Sequence, residues 1–229
     1  MNSDFIAALE LVFQENANLN RANKMEAYLK NKFPMFGIHA PLRDEISAPF
    51  LIKTQLPLKS ELHSLVKELW LKPEREFHHF AQNLVLKYVK QFTVNDIELL
   101  EFMAVNNSWW DTIDFIATKL MAAYFKLYPE QIIPITDSWM KSGNIWLQRS
   151  CLIFQLKHKQ DLDTILLSQF INALNSNNAF FIKKAIGWVL REYSKTNPQW
   201  VINFVNNTPL KPLSKREALK YISISIEKY

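Results

Sequence analysis

The sequence predicts an all-helical protein, and three observations carry that prediction. Only 3 glycines occur among 229 residues. No stretch joins strict apolar–polar alternation to an Asn-Gly or Asp-Gly hairpin turn, while the strong helix formers Leu, Ala, Lys and Glu are abundant. From residue 58 onward the chain echoes itself, each copy showing helical spacing of its apolar residues. A hydrophobic content of 48% beside 21% charged residues makes disorder a poor description of the bulk of the chain.

Taken in order, the first thirty residues read as two helices, Asp4 to Gln14 and Arg21 to Lys32, broken around Asn16 to Asn20. The second carries Met25, Tyr28 and Leu29 at helical spacing, so Tyr28 reads as a core or rim aromatic. Phe33 to Pro41 follows as a loop whose two prolines and Gly37 end the helix and direct the chain, with Arg43 just beyond. The echoing segments are PEREFHHFAQNLVLKYV (73 to 89), NIWLQRSCLIFQL (144 to 156), NAFFIKKAIGWVL (178 to 190) and PLSKREALKYISI (212 to 224). Each has a start signal, a basic or polar middle and an apolar second turn. Arg149 falls 35 residues before Lys184, and Ala185 falls 33 before Ala218. That period marks stacked helix pairs of the HEAT or armadillo kind, forming one solenoid domain over 1–229. Between two of the copies, NNSWWDTID (106 to 114) starts a helix in which Ser108 caps and Asp111 completes a capping box. Trp110 and Asp114 then share one helical face. Stacking at this period would bring Trp110 with Asp114, Arg149, and Lys183 to Trp188 toward one groove.

Several function classes are excluded. A single cysteine, Cys151, allows no internal disulfide and reads as a small core residue. Asp4 and Glu10 interrupt the apolar run that a signal peptide would need, so a cytoplasmic protein is expected. The longest charge-free stretch, Thr164 to Ile182, holds seven Ser, Asn and Gln residues and reads as helix, turn and helix, not as a membrane span. His39, His63, His78, His79 and His158 sit in no metal-ligand spacing, and neither a metal nor a cofactor is expected. No phosphate-binding glycine loop and no nucleophile elbow is present.

Charge is uneven. Residues 1 to 140 hold 14 Lys and Arg against 17 Asp and Glu, whereas 141 to 229 hold 13 against 5. A basic half suits a polyanion, although a solvated basic surface would look the same. The aromatic, acidic and basic set invites a functional reading. Tryptophan faces attract cations, a carboxylate stabilises a positive centre or orients a water, and the fork of Arg149 suits a phosphate. The plain alternative makes Trp109 and Trp146 core, Asp114 a solvated or helix-start acid, and Arg149 a surface cation.

The strings WWDTIDFIA (109 to 117), NIWLQRSCLIFQLKHK (144 to 159), FFIKKAIGWVLREYSKTNP (180 to 198) and PLSKREALK (212 to 220) resemble the AlkD-type bacterial DNA alkylation repair glycosylases. YLKNKFPMFGIHAP (28 to 41) and ELWLKPEREF (68 to 77) extend the similarity more weakly over nearly the whole chain. The resemblance implies a right-handed superhelical solenoid of HEAT-like repeats with a concave basic groove that wraps duplex DNA. It also implies excision of positively charged N3- and N7-alkylated purines. The family's aspartate falls on Asp114, its sugar-facing tryptophans on Trp110 and Trp188, its arginine on Arg149 and its N-terminal tyrosine on Tyr28. With Arg149 and Tyr28, the expected DNA contacts are Arg43, Lys157, Lys183, Lys184, Arg191 and Lys195.

A cationic alkylpurine is already a good leaving group, so the barrier lies in the oxocarbenium character of the deoxyribose. Asp114 and the tryptophan faces would stabilise that charge. Lys183 and Lys184 are read as phosphate contacts, not Schiff-base amines, which predicts a monofunctional enzyme that leaves an abasic site. The expected partner is double-stranded DNA carrying alkylated purines, bound by a monomer with no membrane attachment. The rival reading is a non-catalytic HEAT-like module that binds nucleic acid or protein.

Overall fold

The computed structural model describes residues 2–226. Every regular element among them is helical. The chain divides into two compact units, one ending at Asn107 and the other starting at Ser108.

The N-terminal unit begins with α1 (Asn2–Glu15) and α2 (Leu19–Tyr28). Asn18 caps α2 by accepting a hydrogen bond from the Arg21 N–H at 2.9 Å. The helix therefore starts two residues before the expected Arg21, and it stops at Tyr28 instead of Lys32. Its end is a left-handed turn, with Lys30 and Asn31 at φ 63° and 54°, and the Asn31 N–H returns to the Glu26 carbonyl at 2.7 Å. α3 (Ala40–Ser47) takes Pro41 into its first turn, where a missing N–H costs nothing, so the loop closes just ahead of that proline.

Between α2 and α3 the chain folds back so closely that only glycine fits. Gly37 has φ 82°, and a Cβ there would lie 2.2 Å from the Asn18 carbonyl oxygen and 2.6 Å from the Ala22 nitrogen. The carboxylate of buried Glu76 gathers the N–H groups of Phe36 (3.2 Å), Gly37 (3.0 Å) and Ile38 (3.1 Å). Gly37→Ala is expected to destabilise the protein by about 3 kcal/mol or more, read as a lower urea midpoint, because both the strained φ and the backbone clash must be relieved.

Glu76 lies on α5 (Arg75–Leu86), which packs on α4 (Leu62–Trp70); α6 (Ile97–Val105) completes the unit. Leu65, Val66, Leu69, Trp70, Phe77, Phe80, Leu84, Leu99, Leu100 and Met103 form its core. At the start of α6, Asp96 is 1% exposed. Burial alone would raise its pKa, but Lys59, the N–H and hydroxyl of Thr93, and His63 outweigh it and hold the carboxyl at about 2. A carboxyl depressed from 3.8 stabilises the fold above its unfolded pKa and loses that contribution as pH falls through the folded one. Asp96→Asn should therefore cost about 2 kcal/mol at neutral pH. The difference from wild type should shrink as pH falls from about 4 to 2, measured by denaturant melts across that range.

In the C-terminal unit, α7 (Trp110–Phe115) runs through a π-helical segment, Ile116–Met121, into α8 (Ala122–Leu127). The pairs α9 (Ile132–Lys141) and α10 (Ile145–Ile153), α11 (Thr164–Leu174) and α12 (Phe180–Tyr193), and α13 (Pro198–Asn207) and α14 (Pro212–Ile226) follow. The side chains of Asn144, Asp163 and Asn197 cap the starts of α10, α11 and α13. The capping box expected of Ser108 and Asp111 does not start α7. Its N-cap is Trp109, in extended conformation, and the Thr112 hydroxyl bonds back to the Trp109 carbonyl at 3.2 Å. α10 packs on α7, α12 on α10 and α14 on α12. The second helices of the pairs thus lie in a row, as the period of 33 to 35 requires.

Candidate active site

Three helices of that row meet at Asp114. It sits on the first turns of α7, 35 residues before Arg149 on α10, and Arg149 donates from Nε to Oδ1 at 2.8 Å and from Nη2 to Oδ2 at 2.9 Å. A third guanidinium donor, Nη1, reaches the Phe181 carbonyl at 2.6 Å, which ties the pair to the start of α12. The guanidinium carbon lies 6.0 Å from the Trp188 ring centroid, at the outer reach of a cation–π contact. Asp114, Arg149 and Trp188 are therefore brought together. Trp110 opens α7 one turn before Asp114 and is half-buried.

The pair is asymmetric in exposure. The Asp114 side chain keeps 22% of its surface and Arg149 only 5%, so the carboxylate faces outward and the cation stands behind it. Burial pushes the Asp114 carboxyl above its ordinary pKa. Arg149 pulls it down through charge and hydrogen bonds, and the Asp111 carboxylate adds to the upward push. A fork-to-fork pair fixes the plane of the carboxylate while leaving part of its acceptor capacity open, since a carboxylate has about four lone-pair sites.

This geometry corrects two expectations for Arg149. It is neither a surface cation nor a free fork for phosphate, because it is 4% exposed and three of its donors are engaged inside the protein. Nor is Asp114 simply solvated. Trp109 packs its ring 5.6 Å from Trp146 and 5.0 Å from Phe181, but both Trp109 and Trp146 are half-buried and not the core residues of the plain alternative.

The remaining predicted contacts divide. Lys157 and Lys195 both pair with Glu192, whereas Lys184 and Arg191 both pair with Glu217. Lys183 is half-buried on α12, and its carbonyl accepts from the Ser214 hydroxyl at 2.9 Å. In the N-terminal unit, Tyr28 ends α2 with 68% of its surface exposed, which excludes the core place among the two its spacing suggested. Arg43 lies on α3 with its Nη1 2.9 Å from His79 Nδ1 and its side chain 12% exposed. Cys151 is buried, and burial pushes its thiol pKa up, which leaves it inert. Among the described residues no three His, Cys, Asp or Glu side chains converge as metal ligands. No helix of the described residues is long and apolar enough to cross a membrane.

Sequence reading missed the Phe181 carbonyl that fixes Arg149. It missed the π-helical segment, where the Thr118 hydroxyl donates to the Asp114 carbonyl at 2.6 Å. It also missed the two glutamates. These last were within reach, since Glu192 follows Lys157 by 35 residues and Glu217 follows Lys184 by 33.

A family model described as DNA alkylation repair enzyme matches residues 9–222. The fold is similar to the solved structure of a predicted DNA alkylation repair enzyme from Enterococcus faecalis, with a TM-score of 0.84 and 33% identity over 90% of this chain and 97% of that one. Among curated proteins none matches.

Proposed function

Because the chain belongs to the DNA alkylation repair enzyme family, we propose that it is a monofunctional DNA glycosylase for N3- and N7-alkylated purines. It hydrolyses the N-glycosidic bond in duplex DNA and leaves an abasic site. The observation that supports this most directly is an outward-facing carboxylate, Asp114, held on both oxygens by a buried arginine beside a tryptophan face.

The reaction needs little else. An alkylated N7-guanine or N3-adenine carries its positive charge before the bond breaks, so no general acid is required. What must be stabilised is the charge that develops on the deoxyribose. Asp114, oriented before the substrate arrives, supplies the opposite charge and an acceptor that aligns the attacking water. Trp110 and Trp188 add cation–π attraction from their faces. Arg149 acts through Asp114 as a positioning residue. Each ~1.4 kcal/mol removed from the barrier is about tenfold in rate.

Duplex binding by Tyr28, Arg43, Lys157, Lys183, Lys184, Arg191 and Lys195 belongs to the same proposal. So does a single right-handed solenoid over 1–229 with its basic concave side to the DNA, working as a cytoplasmic monomer without metal or cofactor. The uneven charge and the period of the helix pairs support it. Incubation with methylated duplex DNA is expected to release 3-methyladenine and 7-methylguanine faster than spontaneous loss. Release at the spontaneous rate, with duplex binding intact, would favour a non-catalytic binding module.

A further inference from the structure

Four of the cations expected to meet DNA are already held by two carboxylates. On Glu192, Oε1 takes the Lys157 ammonium at 2.8 Å and Oε2 takes the Lys195 ammonium at 2.6 Å. On Glu217 the pattern repeats, with Lys184 at 3.1 Å from Oε1 and Arg191 at 2.9 Å from Oε2. We propose that Glu192 and Glu217 are internal counterions standing where DNA phosphates bind, and that they limit how tightly the protein holds any duplex. The proposal rests on the DNA-binding reading above.

The chemistry of the two clusters matches a phosphodiester. A carboxylate offers two oxygens sharing one negative charge, and so do the two non-bridging oxygens of a backbone phosphate. A site that seats one between two cations is built for the other. Exposure sets the order of layers. The lysines keep 65%, 47% and 37% of their side-chain surface and Arg191 keeps 28%, against 20% for Glu192 and 14% for Glu217. The cations lie to the solvent side, where a phosphate can take them over without moving a helix.

Glu217 is fixed in its place by the backbone. Gly187 lets α14 come so near that a Cβ on it would stand 2.4 Å from the Glu217 Cβ. Lys184, Trp188 and Arg191, at i, i+4 and i+7, share a face of α12, so the Glu217 cluster brackets the tryptophan of the proposed site. Burial works against ionisation of both glutamates, but the paired cations, joined at Glu217 by Lys220, hold both below their ordinary pKa. They are charged at neutral pH.

Charge then decides the sign of the effect. The cations of these pairs reach solvent, where an ion pair does little to order a long side chain, so removing the carboxylate loses little preorganisation and exposes two cations to the phosphate. Weak holding of undamaged DNA suits an enzyme that must scan many sites and let go of its product.

Fluorescence anisotropy with a labelled undamaged duplex, read over a series of KCl concentrations, tests this on the full chain. Glu217→Gln and Glu192→Gln are each expected to bind about three- to tenfold more tightly at low salt. Their log–log salt slopes should steepen by up to about 0.9, as for one more phosphate engaged. Lys184→Ala and Lys157→Ala should weaken binding. Glutamine variants no tighter than wild type, alongside weakened lysine variants, overturn the counterion role and leave the DNA reading standing. Lysine and glutamine variants that all bind like wild type overturn both. Glutamine keeps the shape of glutamate, and the two carboxylates lie on different helices, so a variant that misfolds leaves the other to decide.

Discussion

Asp114→Asn is expected to slow release of 7-methylguanine by on the order of 100-fold or more, in single-turnover assays on methylated duplex DNA. Asparagine is nearly isosteric and keeps one acceptor for Arg149, but it brings no charge to the developing oxocarbenium ion. The amide nitrogen also points a donor at a guanidinium that has only donors. Folding survives this better than catalysis, because the Asp114 side chain still reaches solvent. An Asp114→Asn variant as fast as wild type would remove the carboxylate from the mechanism and with it the main support for the glycosylase reading.

Arg149→Met should act on stability and on pH dependence together. Losing the arginine leaves a mostly buried carboxylate facing nothing of opposite charge and frees the Phe181 carbonyl of its partner, at a cost of about 3 kcal/mol. The Asp114 carboxyl already lies above its ordinary pKa because burial and Asp111 outweigh Arg149. Without Arg149 it rises further. The active form is the ionised one, so base release falls as pH drops through this pKa, and the acid limb of the rate profile should lie at higher pH in the variant than in wild type. Arg149→Lys should fall between them, restoring a charge but not the fork. An unmoved acid limb in a folded Arg149→Met protein would separate the arginine from the state of Asp114.

The helical class and the pairing of helices were legible because both are written in local terms. Few glycines, apolar spacing and a period of 33 to 35 residues carry through to α10, α12 and α14 in their row. Asp114 and Arg149 were legible as a pair because they fall 35 residues apart, with Trp188 one turn past the next such position, Lys184. What Arg149 does was not. Whether a guanidinium meets solvent or a carboxylate depends on how deep its helix sits between neighbours, and one repeat pattern serves either case. Tyr28 shows the reverse, an apolar spacing that ends in an exposed aromatic at the last residue of its helix, while Leu29 beside it is buried. The start of α7 was misplaced as well. Ser108 satisfies a capping motif in sequence, but Trp109, packed on Trp146 and Phe181, takes the N-cap instead.

The π-helical segment bears on how this chain tolerates length change. At its end the Ala122 N–H bonds to the Ala117 carbonyl, five residues back instead of four, which amounts to one extra residue in the rod that carries Asp114. Each residue of an α-helix turns the chain by about 100°. Removing a single residue between Ile116 and Met121 would let the rod relax to plain α-helix with the turns before and after it still in their present phase, whereas removing two would rotate one half against the other by about that angle. The half that ends in α8 is pinned by buried Tyr124 and Phe125, so the rotation would fall on the half bearing Trp110 and Asp114 and carry the carboxylate off its arginine. The phase of this one helix, set by a count of residues and not by the kind of any of them, is therefore what aims the site.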